Sequence, residues 1–154
     1  MEYIKKNIIT VTEGVILHGV NCLGAMGSGV AGVLRTAYPV IYDSYITKYN
    51  SVDNPRDLLG EIDVVNINES LYIINAFTQY NCGYDGKKYA SVDAIYKCLS
   101  NVYDWCDSVN MYDIYLPPIG CGLGGLNWDN DVKPIFEILD PYKNTKINIT
   151  VCDI

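Results

Sequence analysis

Apolar residues along the chain change period several times, and each change marks an element. Residues 15–20 read Val-Ile-Leu-His-Gly-Val, a run rich in β-branched residues that predicts a strand buried on both faces. Before it, Tyr3 and Ile4 and then Ile8 and Ile9 flank Lys5, Lys6 and Asn7, a short strand followed by a turn. After it the period becomes helical: Val30, Ala31, Val33, Leu34, Ala37 and Tyr38 share a face, and Pro39 either ends that helix or begins another reaching about residue 49. Residues 51–57, with Asp53, Asn54 and Pro55, read as a surface loop. Strands at 62–67 and 71–77 are separated by Asn68, Glu69 and Ser70, which suits a hairpin and makes the sheet mixed. Residues 81–88 are polar and glycine-containing and read as an exposed loop. Val92, Ile95, Leu99, Val102 and Cys106 then recur at steps of three and four as the core stripe of a helix. A strand at 112–116, a loop at 117–125, a helix marked by Val132, Ile135, Phe136 and Leu139, and a strand at 147–152 complete the chain. Pro134 fits the first turn of that helix, where N–H groups have no intrahelical partner. Strands alternating with helices predict an α/β fold, a three-layer α/β/α domain with a mixed central sheet.

Two loops in this pattern are rich in glycine. Gly27, Gly29 and Gly32 fit G-x-G-x-x-G, and so do Gly120, Gly122 and Gly125. Each set follows a predicted strand and precedes a predicted helix, where backbone amides and a helix N-terminus can hold an anion without Lys or Arg. Either set alone is equally well explained by tight turns and helix packing, but the pair together fits a diphosphate clamp. A dinucleotide-binding fingerprint fits less well, because residues 21–26 separate Val20 from Gly27 and helical sequence continues where a second strand should begin. No Gly-Lys-Ser/Thr follows either loop, which excludes a P-loop. A Cys-x5-Arg phosphatase signature also fails, since Ser28 and Asn127 stand where the Arg is needed.

Composition narrows the partners. At 154 residues the chain is expected to form one domain, residues 1–154, large enough to bury about two-thirds of its unfolded surface. The formal charge of −7 argues against non-specific DNA or RNA binding, so an anionic ligand has to be held locally by backbone donors. Six cysteines lack C-x-x-C pairing and there is one histidine, so no metal or other cofactor is implied. With no signal sequence or apolar span, the expected protein is cytoplasmic, with reduced thiols. The 14 tyrosines read as partly buried packing residues, with a few available to stack on a base or sugar.

Several single residues have two readings. His18 is either a satisfied core or boundary residue or, being near the strand's C-terminal end, a catalytic one. Asn21 is a turn residue, or it points an amide at a ribose hydroxyl or a water. Cys22 and Cys121 read as small loop-lining residues, not nucleophiles. Asp131 serves as readily to cap the last helix as to act in a site. Lys87 and Lys88 read as solvated surface.

Asn7-Ile8-Ile9, His18-Gly-Val-Asn-Cys-Leu-Gly, Met26-Gly-Ser-Gly-Val-Ala, Phe77-Thr-Gln and the run from Pro118-Ile-Gly-Cys-Gly through to Trp128 occur in an order that resembles the macrodomain. The likeness is to the branch holding ADP-ribose-1″-phosphate phosphatases of yeast and phage type, and it covers nearly the whole chain. It implies that Asn7, Ile8 and Ile9 contact adenine. Gly27, Ser28, Gly29 and Val30, with Gly120, Cys121, Gly122, Leu123 and Gly124, would donate backbone N–H groups to the diphosphate. Asn21 would meet the distal ribose, with Phe77, Thr78 and Gln79 bordering the same end. His18 matches a histidine proposed as catalytic in the yeast-type enzyme, whose catalytic Asp has no secure counterpart here. Asp129 and Asp131 lie just past the second loop. De-ADP-ribosylating relatives use a Lys near Phe-Thr-Gln, and some add an Asp in the second loop. Thr78, Gln79 and Gly124 occupy those places here and favour the phosphatase. The resemblance therefore implies a monomeric, ADP-ribose-binding hydrolase that acts on ADP-ribose-1″-phosphate. Its partners would be ADP-ribose or that phosphate, with no membrane, and with nucleic acid only as an ADP-ribosylated substrate. The alternatives are removal of ADP-ribose from protein or nucleic acid, degradation of an ADP-ribose-derived signal, and a non-catalytic reader.

Overall fold

The computed structural model describes residues 1–83, 85, 87–143 and 146–153. Its centre is a six-stranded sheet in the order β1 (Glu2–Lys5), β6 (Asn148–Asp153), β5 (Asp113–Leu116), β2 (Gly14–Asn21), β4 (Leu71–Gln79), β3 (Ile62–Asn66). Every neighbouring pair is parallel except the β3–β4 hairpin at the edge. The sheet is therefore mixed, as the spacing predicts.

Strand alternation divides the core into two. Val15 and Leu17 of β2 join Ile74 and Ala76 of β4 beneath α3 (Val92–Val109) and α4 (Lys133–Lys143). Ile16 and Val20 join Ile73 and Phe77 on the opposite face, beneath α1 (Gly29–Ala37) and α2 (Val40–Asn50). β2 and β4 thus lie at the centre of an α/β/α sandwich with both faces apolar.

Helix ends follow local chemistry, with some differences from the sequence reading. Pro39 has helical φ and stands immediately before α2, so α1 ends and a second helix begins there. Ser91 caps α3 by accepting from the Ala94 N–H at 3.2 Å, and Asn110 closes it in the left-handed region at φ 57°. Within the α3 stripe, Ile95, Leu99, Val102 and Cys106 are buried, but Val92 in the first turn is 39% exposed because the stripe reaches the sheet only one turn later. On α1 only Leu34 is fully inward, while Val30 and Val33 face solvent. The loop at 51–57 tightens into a short 3-10 turn, Pro55–Leu58, capped by Asn54. Asp131 does not cap the last helix. That end opens with a wide π turn, Trp128–Val132, capped by the Asn127 side chain, and Asp131 accepts from the Asn127 N–H in return at 2.8 Å. Of the loop expected at 81–88, Tyr84 and Gly86 lie outside the described residues.

Candidate functional site

Where β2, β4 and β5 end, their C-terminal loops part to leave a cleft of about 610 Å³. Residues 25–31 form one wall, residues 117–124 the other, and the end of β2 with Thr78 and Gln79 forms the floor. Asp153 borders the cleft on the β6 side and Cys82 on the β4 side. A space this size at the carboxyl ends of parallel strands suits a nucleotide-sized ligand.

The glycines separate into two groups. A Cβ added at Gly27, Gly29 or Gly122 would meet nothing within 4 Å. By contrast, one at Gly32 would lie 2.9 Å from the Gly27 backbone, and one at Gly124 would lie 2.6 Å from the Gly120 carbonyl. Gly32 and Gly124 are thus glycines for packing, and Gly27 and Gly122 keep the cleft open. Gly29 does so too, and its φ of +60° also lets the chain turn into α1.

That entry is built to receive an anion. Ser28 makes no side-chain cap on α1, and the first inward bond of the helix runs from the Gly32 N–H to the Ser28 carbonyl at 3.1 Å. The amides of Gly29, Val30 and Ala31 precede that bond and stand at the positive end of the helix, in the cleft wall. Among the described residues no Lys or Arg lines the space, and Asp153 is the one charged lining residue. Attraction for an anion therefore comes from backbone dipoles.

Asn21 lines the cleft, but its amide is largely committed to shaping it. Nδ2 donates to the Ala25 carbonyl at 2.8 Å, and Oδ1 accepts from the Leu23 N–H at 3.0 Å and from the Tyr45 hydroxyl at 2.8 Å. Tyr45, fully buried and stacked on Phe77 with centroids 5.5 Å apart, also reaches the Asn21 carbonyl at 2.9 Å. Desolvation pushes the Tyr45 phenol well above its ordinary range, so it stays a donor. Tyr45→Phe removes this brace; the expected loss is about 1 to 3 kcal/mol in urea unfolding, with a matching rise in amide exchange across residues 21–25.

His18 lines the inner end of the cleft while remaining only 1% exposed, on the α1/α2 face of β2. A row of polar side chains crosses the sheet there, set by the register of His18 on Asn75 and of Asn75 on Asp63. His18 Nε2 lies 2.6 Å from Asn75 Oδ1, and Asn75 Nδ2 donates to the Ile41 carbonyl at 3.0 Å and to Asp63 Oδ2 at 3.1 Å. Ser44 donates to the other Asp63 oxygen at 2.9 Å. Since Asn75 Oδ1 only accepts, Nε2 carries the His18 proton. Burial outweighs the Asn75 hydrogen bond and lowers the His18 pKa to about 4, so the ring is neutral at physiological pH. Among the described residues its Nδ1 has no partner, nor has the buried hydroxyl of Thr78, which packs over Gly19 on the opposite face.

Other expected residues do not converge. Phe77 is fully buried against Tyr45: alternation turns it away from Thr78, and the register shift between Val20 and Asn21 separates it from Gln79, so that Thr78 and Gln79 line the cleft. Asn7 spends its side chain capping the turn at Ile8–Thr10, accepting from the Ile9 N–H at 3.2 Å. Ile8 packs into the core with Ile9 against it, and none of the three lines the cleft. Val30, Cys121 and Leu123 do line it, and the exposed Val30 and Leu123 form apolar lips. Desolvation raises the thiols of Cys22 and Cys121 to about 11, which keeps both protonated and inert. Lys87 is solvated, 3.7 Å from Asp85. Asn75 and Tyr45 were missed by sequence reasoning. The available signal for Asn75 was an amide within an otherwise apolar strand, which requires a buried partner.

An α/β/α domain with two amide-lined glycine loops facing each other at the parallel strand ends defines the class of protein. The chain belongs to the Macro domain family, whose sequence profile matches residues 17–135. It is 33% identical to an uncharacterized 17.5 kDa protein of Enterobacteria phage T4, over 99% of this chain and 96% of that one. It is 23% identical to a DNA ADP-ribosyl glycohydrolase of Thermus aquaticus, over 96% of this chain but only 40% of the longer relative. A protein of unknown function from Bacteroides thetaiotaomicron superposes with a TM-score of 0.85 at 27% identity, covering 99% of this chain and 97% of that one. No helix among the described residues is long and apolar enough to cross a membrane.

Proposed function

We propose that the cleft binds ADP-ribose and that the protein hydrolyses a group from its distal ribose, with ADP-ribose-1″-phosphate as substrate. The observation that carries this reading is the uncapped N-terminus of α1 facing the second glycine loop across a cleft that no described Lys or Arg lines. Amides of Gly27, Ser28, Gly29 and Val30 on one side, and of residues 120–124 on the other, hold the diphosphate. Adenine extends towards Asp153 and the distal ribose towards Gln79 and Cys82. Membership of the Macro domain family and the ADP-ribosyl specificity named for the Thermus relative support this choice of ligand.

In the reaction, water attacks phosphorus, the bond from phosphorus to the anomeric oxygen breaks, and ADP-ribose and inorganic phosphate leave. Asn21 acts as a positioning residue through the loop it holds. His18 lines the cleft but is 1% exposed and neutral, so in this reading proton transfer is given to the phosphate oxygens and water. Catalysis is then positional, with the nucleotide's binding energy fixing the monoester. In this reading the protein works as a cytoplasmic monomer.

Calorimetry is expected to show ADP-ribose binding more tightly than NAD, together with colorimetric phosphate release from ADP-ribose-1″-phosphate. A second reading, release of ADP-ribose from modified DNA, is favoured by the name of the Thermus relative. Label released from an ADP-ribosylated oligonucleotide without phosphatase turnover would select it. Tight binding with neither activity would identify a reader.

A further inference from the structure

Beside the β4 end of the cleft lies a cation that the diphosphate clamp does not use. Arg56 sits in the short turn Pro55–Leu58, with its guanidinium carbon 3.9 Å from the centre of the Tyr80 ring. Both partners are fixed by backbone bonds. Asn54 Oδ1 accepts the Arg56 N–H at 3.1 Å, and the Tyr80 carbonyl accepts the Cys22 N–H at 3.1 Å, tying Tyr80 to the loop that follows β2. Tyr80 comes directly after Gln79, a lining residue, and two residues before Cys82, another. β3 runs antiparallel to β4, with Ile62 opposite Ala76, so the turn bearing Arg56 falls at the same end of the sheet as the cleft. The charge of Arg56 is felt at Cys22, where it opposes the rise in the thiol pKa.

The chemistry of this pair is specific. Arg56 is exposed, and none of the described carboxylates pairs with it. With its carbon held over the ring and no described carboxylate paired with it, the guanidinium keeps N–H donors for a phosphate, which such a group grips through two parallel hydrogen bonds. Holding the fork in place beforehand lowers the entropy lost on binding. The chain has another such stack, Arg35 at 3.5 Å over Tyr42, but Arg35 is in the last turn of α1, away from the cleft. That stack is a control for what an Arg–Tyr contact does for the fold alone.

We propose that Arg56, held on Tyr80, is a phosphate subsite beyond the distal ribose. It takes either the 1″-phosphate of the free nucleotide or the backbone phosphate of a nucleotide to which the ribose is joined. The inference rests on the ADP-ribose reading and adds to it the part of the substrate that lies outside the clamp.

The test compares the full chain with Arg56→Gln and the control Arg35→Gln. Calorimetry measures ADP-ribose and ADP-ribose-1″-phosphate, and label release measures an ADP-ribosylated single-stranded oligonucleotide. Arg56→Gln is expected to keep ADP-ribose affinity within about twofold and to lose about tenfold or more on a ligand carrying the further phosphate. Arg35→Gln should change neither. Loss on the 1″-phosphate assigns the subsite to the leaving phosphate, and loss on the oligonucleotide assigns it to a nucleotide acceptor. If wild-type protein binds ADP-ribose and Arg56→Gln weakens all ligands equally or none, the subsite is wrong and the clamp stands. If wild-type protein does not bind ADP-ribose, the nucleotide reading fails and the subsite falls with it.

Discussion

Gly122→Val raises the dissociation constant for ADP-ribose by about 100-fold or more and leaves the thermal midpoint within about 2 °C of wild type. Position 122 faces open space, so the new side chain displaces no protein atom; it fills the volume where the second loop presents its amides. A Cβ there blocks the approach that a diphosphate needs, and the fold has no reason to object. Gly124→Val tests the opposite case. Its Cβ would overlap the Gly120 carbonyl and approach Ala90 to 2.9 Å, so stability falls by about 1 to 3 kcal/mol or more. Calorimetry with parallel thermal melts of both variants measures the split. Equal loss of stability in the two would show that the second loop is only a packing device.

Acid is expected to cost the protein about 3 kcal/mol through His18 alone. The ring titrates near 6.5 when unfolded and near 4 when folded, because burial disfavours its charged form more than Asn75 supports it. The folded pKa is depressed, so the unfolded chain binds the proton more readily. Stability is therefore complete above about pH 6.5 and falls as the pH drops towards 4. Urea midpoints across that window should decline in wild-type protein and remain nearly flat in His18→Gln down to about pH 5, where carboxylates begin to titrate. A wild-type midpoint that is level from pH 7 to 5 would contradict a buried, neutral His18.

The fold was legible where period and punctuation agree. The hairpin at Asn68 to Ser70, the helix stripe through Ile95 and Cys106, and the break at Pro39 all follow from local chemistry. So did the two glycine loops, though the sequence could not separate Gly122, which faces space, from Gly124, which touches backbone. What stayed hidden depends on register. The row from His18 through Asn75 to Asp63 exists only because β2, β4 and β3 align those positions, and separations of 57 and 12 residues leave no periodic trace. Phe77, Thr78 and Gln79 were read as one unit bordering the cleft, yet strand alternation sends Phe77 into the opposite layer. Of the two readings of Asn21, the turn role is met by its bonds to Leu23 and Ala25, while its third partner, Tyr45, stands 24 residues away on another element and leaves no local trace.

The six free thiols are spread so that the molecule carries its own reporters. Cys22 and Cys152 are sealed in the α1/α2 layer and Cys98 and Cys106 in the α3/α4 layer, while Cys82 and Cys121 stand at the cleft. A disulfide reagent in excess therefore meets exposed Cys82 first, which occupancy of the cleft should shield, and the protonated Cys121 only later. Each slow class can react only when its own layer opens, so labelling rates followed by peptide mapping read ligand protection and the separate opening of the two halves of the sandwich in one experiment.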